Sequence, residues 1–190
     1  TPAFFERTYD GFQVAYYFGF AILIFGPLGI VAGGALADYW RRKGKDDCYL
    51  RVALLAALLL TPVNVATPLM PEAWMAVLLL APGAFLGAMP FGVAPAAVQA
   101  ITPNQMRAQM SAMYLFTVNL IGLGLGPTVI GWITDDVFGD PMLVRYSLVV
   151  TGAATGLWAI AVLSSGLKPY RRAVEAAKEW QDKDEASAPA

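Results

Sequence analysis

The sequence predicts an all-α fold, a polytopic transmembrane helix bundle of five spans. Three observations predict it. The 190 residues are 57% hydrophobic and only 14% charged, whereas soluble domains carry about 25% charged residues. The charges cluster, leaving uncharged runs at 11–37, 52–71, 73–106, 108–134 and 146–167. Each run reaches the length of about 20 residues that carries a helix across hydrocarbon. Within the runs the apolar residues do not alternate: residues 50–60 read LRVALLAALLL, which excludes the period-two strands of a membrane barrel.

The elements follow in order. Residues 1–10 form an extracytoplasmic segment. Span one, 11–37, places Gly19, Ile22, Gly26, Gly29, Gly33 and Leu36 at alternating three- and four-residue steps, a small-residue face that lets another helix come close. Pro27 is expected to bend it. Span two, 52–71, is rich in leucine and alanine and lacks glycine, so it reads as a lipid-facing support. Span three, 73–100, carries Pro82, Pro90 and Pro95 and is expected to be interrupted or kinked, as helices beside transport cavities often are. Span four, 108–134, carries Asn119 and the glycines Gly122, Gly124, Gly126 and Gly131 around Pro127. Span five, 146–167, has Gly152 and Gly156 at small-x-x-x-small spacing. In the tail, 168–190, residues 170–182 suit a short surface helix and 183–190 read as disordered.

Basic residues orient the bundle. The turn after span one and the head of span two hold Arg41, Arg42, Lys43, Lys45 and Arg51; Arg107 follows span three; the tail holds Lys168, Arg171, Arg172, Lys178 and Lys183. The opposite side has only Arg7 and Arg145. This places the C-terminus in the cytoplasm and Thr1 outside, in a cell inner (plasma) membrane. Tyr39, Trp40 and Tyr49 are then inner interface anchors, and Trp74, Trp132 and Tyr146 outer ones. A chain that begins outside, with no signal peptide before it, is expected to be the C-terminal part of a longer protein.

Little catalytic chemistry is available. Histidine is absent and Cys48 is the one cysteine, which removes the parts of a hydrolytic triad or a multi-cysteine metal site; Cys48 is expected as an ordinary loop thiol. No metal, cofactor or enzymatic activity is expected. No ionisable residue sits in the middle of any span, where it would be costly and usually functional. The net charge of -1 offers no field for nucleic acid. The run Gly122-Leu-Gly124-Leu-Gly126 is not a phosphate loop, because no strand precedes it and it lies within an uncharged span.

The strongest motif is Gly34-Ala35-Leu36-Ala37-Asp38-Tyr39-Trp40-Arg41-Arg42-Lys43, where span one meets the cytoplasm. Gly34 is expected to admit a close neighbour, and Asp38 to pair with an arginine or with the positive end of an adjacent helix. The motif resembles the Gly-x-Leu-Ala-Asp-Arg-x-Gly-Arg-Lys loop of the major facilitator superfamily. Gly34, Leu36, Ala37, Asp38, Arg42 and Lys43 match, whereas Tyr39 stands where the family has a basic residue and Arg41 where it has its second glycine. Gly122-x-x-x-Gly126-Pro127-x-x-x-Gly131 is similar to the family's glycine-proline helix-packing motif. The stretch from Thr102 to Ala112, with Asn119-Leu120-Ile121-Gly122, most resembles the Spinster-like branch.

The resemblance implies that the five spans are helices eight to twelve of a twelve-helix fold. It implies alternating access, with the missing N-terminal half of the same transporter as partner alongside the bilayer, and a small-molecule or lipid-like substrate. Gly34, Asp38, Arg42 and Lys43 would form the gating loop. Gln13, Tyr17, Phe91, Tyr114 and Asn119 are candidates for the substrate cavity, the first two sharing a helix face at i, i+4 spacing. A non-transporting membrane scaffold or subunit is the alternative reading.

Overall fold

The computed structural model describes residues 14–70, 72–132 and 144–187, which contain helix and turn and no strand. The segment 1–10 and Gln13 lie outside the described residues. Six α-helices follow one another: α1 (Val14–Arg42), α2 (Cys48–Ala66), α3 (Ala73–Ala100), α4 (Arg107–Asn119), α5 (Gly126–Trp132) and α6 (Val144–Ser187). Short 3-10 turns at Thr67–Leu69 and Asn104–Met106 join them, and a π-helical segment, Leu120–Leu125, links α4 to α5.

Among the described residues, four stretches are long and apolar enough to cross a membrane: Tyr16–Arg42, Cys48–Leu69, Trp74–Ala100 and Tyr146–Glu179. The run 108–134 differs. It is helical from Arg107 to Trp132, but as α4, the π segment and α5, none of which alone has the length of a span. The expected break in span three is not there: α3 continues through Pro82, Pro90 and Pro95. The irregular backbone falls on the glycine run of span four, where glycine, with the most backbone freedom to lose, favours a regular α-helix least.

The first turn of the chain has a clear local cause. Arg41 and Arg42 occupy the last turn of α1, where cations suit the helix dipole. Gly44 then takes φ 73°. The Lys45 amide donates to the Trp40 carbonyl at 3.1 Å and the Gly44 amide to Arg41 at 2.9 Å, the paired bonds of a Schellman ending. Cys48 is not a loop thiol. It is the first residue of α2 and is buried, because α2 begins directly after the turn and packs its first rows inward.

Close backbone approach dominates the packing of α1 on α3. A Cβ at Gly29 would strike the carbonyl of Phe85, one at Gly33 would lie 2.6 Å from the carbonyl of Met89, and one at Gly92 would lie 2.5 Å from that of Ile30. Beside this contact Ala37, Val52, Ala56, Met89 and Val93 form a buried cluster, covered by Trp40, Tyr49 and Phe85. A smaller cluster, Ala76 and Leu80 with Phe18, Ala21 and Leu148, closes the opposite end. Helix α2 is no mere lipid-facing support, since it packs on both α3 and α6. A Cβ at Gly156 of α6 would strike the Thr61 side chain, and one at Gly152 would lie 3.5 Å from Asn64.

Helix α6 is longer than the sequence suggested. It runs unbroken through Pro169 to Ser187, so the helix of the tail continues the span rather than starting anew, and residues 188–190 of the stretch expected to be disordered lie outside the described residues. Val174 and Ala177 are buried, which explains why the helix persists beyond the uncharged run: its inner stripe still has apolar surface to cover.

Candidate functional site

Two regions carry the sequence-derived candidates. At one end the chain brings together the basic residues that the sequence placed on one side of the membrane. Arg41, Arg107 and Lys178, from three distant segments, line one cavity with Asp46 and Gln99. Arg51, Lys168, Arg171 and Arg172 line a second with Asp47 and Glu175. Lys178 Nζ donates to Asp46 Oδ1 at 2.5 Å, and the Tyr170 hydroxyl donates to the Ala97 carbonyl at 3.0 Å. The tail half of α6 is thereby tied to the first turn and to the end of α3.

Asp47 precedes α2 and its side chain is only 6% exposed. Its carboxylate accepts from Arg51 Nε at 2.6 Å. That hydrogen bond holds the Asp47 carboxyl below its ordinary pKa, outweighing the burial that pushes it up. The sequence reading missed this pair. An aspartate at i with an arginine at i+4 across a helix start was a usable signal.

The loop motif is arranged differently from expectation. Asp38 is exposed and takes part in no ion pair among the described residues. Gly34 has nothing within 4 Å of a Cβ placed on it; the close approach falls one residue earlier, at Gly33, on a different face. Lys43 turns back on its own helix, donating to the Tyr39 hydroxyl at 2.5 Å with its ammonium 4.3 Å from the ring centre. Arg42 is exposed. Tyr39, where the resembled motif has a base, therefore acts as the acceptor for Lys43.

The cavity candidates lie apart. Tyr17 and Phe91 are exposed, Tyr114 is half-buried and Asn119 is exposed. None of the four lines either basic cavity. Asn119 Nδ2 donates to the Leu115 carbonyl at 2.7 Å and stands directly before the π segment. Gly122, Gly126 and Gly131, expected as a helix-packing face, have nothing within 4 Å of a Cβ placed on them. Pro127 sits at the second residue of α5, a position that tolerates its missing N–H. This glycine face is open in the described chain, and α4 and α5 are held mainly by α3 at one end and α6 at the other.

Apolar helices of membrane-crossing length, joined through a basic end, define a multi-pass membrane-helix bundle. No protein-family model matches the chain, and no solved structure does. Among curated proteins, the chain is similar to an MFS-type efflux pump of Mycolicibacterium smegmatis, with 29% identity over 184 residues, covering 94% of this chain and 42% of the pump. The chain thus spans less than half the length of that relative. The match supports membership of the major facilitator superfamily and a transporter role in general terms.

Proposed function

We propose that the chain forms helices eight to twelve of a twelve-helix secondary transporter of the Spinster-like kind. It works by alternating access against a further helical half, in a plasma membrane with its C-terminus in the cytoplasm. The observation that carries this reading is the contrast within the bundle. Helices α1, α2, α3 and α6 are packed together, while the glycine-rich α4–π–α5 element presents a face that no described residue fills. Such a face suits contact with a partner half that changes as the transporter rocks. Asn119 and Tyr114, on α4, and Phe91, on α3, supply aromatic and hydrogen-bonding groups for a lipid-like or amphipathic substrate. The relative's name speaks for export. No step requires a cofactor.

The test is transport by the intact protein in proteoliposomes, with a fluorescent lysophospholipid as the probe. Asn119→Leu is expected to lower the initial rate about tenfold, or about 1.4 kcal/mol in barrier, with the elution profile unchanged. An intact protein that moves no probe, or full activity in Asn119→Leu and Phe91→Ala alike, would overturn the reading and favour a scaffold.

A further inference from the structure

At the end of the bundle opposite the basic residues, α1, α2, α3 and α6 enclose a partly open cavity of about 450 Å3. Its size falls in the range of small-ligand sites, about 300–1,000 Å3, and is short of a whole phospholipid. Phe18, Leu79 and Leu148 give it an apolar wall, and no charged side chain lines it. Tyr17, Phe91, Tyr114 and Asn119 do not line it either, so it is distinct from the transport candidates and does not rest on them.

Four polar side chains line the cavity as well, Asn64, Thr67, Thr151 and Thr155, and two of them lack a partner among the described residues. Helical threonines within membranes ordinarily satisfy their hydroxyl by donating to the carbonyl four residues back. Thr61, Thr67, Thr102, Thr117, Thr128 and Thr155 all do so. Among the described threonines Thr151 alone does not: its Oγ1 is buried and has no hydrogen-bond partner. Asn64, across the α2–α6 contact, has a carboxamide with no partner among the described residues and lines the same cavity. The unmade hydrogen bond of the buried Thr151 hydroxyl is costly, and Asn64 is exposed, so its carboxamide is open to a ligand that supplies both a donor and an acceptor.

We propose that this cavity binds a small neutral amphiphile, an alkyl body with one hydroxyl, held through Thr151 Oγ1 and the Asn64 carboxamide. A hydroxyl both donates and accepts, matching the two protein groups. An anionic headgroup would find no counter-charge there, and a pure hydrocarbon would leave both groups unpaired.

The experiment is photolabelling of the intact protein in nanodiscs with a diazirine-bearing decanol, competed with plain decanol and with decane. Labelling is expected at residues 64–68 and 148–155, with decanol competing about fivefold better than decane, the worth of one hydrogen bond. Thr151→Val and Asn64→Leu are each expected to weaken binding by a similar factor without lowering the melting temperature of the unliganded protein. Gly83→Leu, whose Cβ would meet only Val63 at 3.7 Å, fills the cavity and should abolish labelling. The proposal fails if the label lies elsewhere, or if decane competes as well as decanol. It also fails if Thr151→Val binds unchanged, or if that variant melts lower in the absence of ligand, which would mean the hydroxyl is paired within the protein.

Discussion

Two segments of this chain are rich in glycine and carry one proline each, and they meet opposite fates. In α1, Gly29 and Gly33 press against the backbone of α3, with Gly92 completing the contact from the other side. In the α4–π–α5 element, Gly122, Gly124, Gly126 and Gly131 touch nothing beyond their own helix among the described residues. The first segment is a regular helix, and the second contains a π segment. Small residues permit close approach without ensuring it. Where a partner backbone fills the space the helix is fixed, and where none does the same residues leave a thin, irregular rod.

The largest expected effect separates the two. Gly33→Leu forces a side chain into the Met89 carbonyl, where only backbone can give way, and should cost about 3 kcal/mol or more. It is expected to abolish a monodisperse folded species in detergent gel filtration. Gly126→Leu, placed in open space, should leave that profile intact while blocking transport by the intact protein. If both variants eluted as folded protein, the distinction between the segments would collapse.

A smaller effect sharpens the contrast at the basic end, which polar bonds rather than backbone contact hold together. The Asp47 carboxyl is held below its ordinary pKa by Arg51. A lowered folded-state value means stability that is fully present above the unfolded-state pKa and is lost as pH falls through the folded one. Asp47→Asn should lower stability by about 1 kcal/mol at neutral pH, since Arg51 is partly in solvent, and should flatten the acid limb of a melting-temperature profile. An unchanged acid limb would show that the pair contributes nothing.

The smallest effect concerns the exposed Lys178–Asp46 pair. Lys178→Ala should cost about 0.5 kcal/mol and only at low salt, read as a shift in chemical-denaturation midpoint. A loss that persists at high salt would mean that the tail is docked by more than this charge contact.

Much of the fold was legible because membrane solubility imposes a coarse code. Uncharged length marked α1, α2, α3 and α6, and loop charge gathered Arg41, Arg51, Arg107 and Lys178 at one end. What was not legible depended on partners. The small-residue stripe of α1 held Gly29 and Gly33 correctly, but Gly19 of that stripe and Gly34 of the loop motif meet no close contact among the described residues. Of the two readings that the prolines of α3 left open, the interrupted helix is not the one found, since a helix whose neighbours hold it can pass through proline without ending. Asp38 makes no ion pair with any cation of the described residues. The tail was misread because a buried stripe through Val174 and Ala177 extends α6 past its last apolar run. Thr151 was invisible to sequence reading, as nothing in a threonine's neighbours reveals which way its hydroxyl turns.

The most direct test is hydrogen exchange of the intact protein in nanodiscs. Amides of Leu120–Leu125 are expected to exchange at least roughly a hundredfold faster than those around Gly29 and Gly33, because an irregular, weakly packed segment opens locally and reaches the aqueous path. Equal protection of the two segments would contradict the proposal that the glycine-rich span faces a partner half that moves.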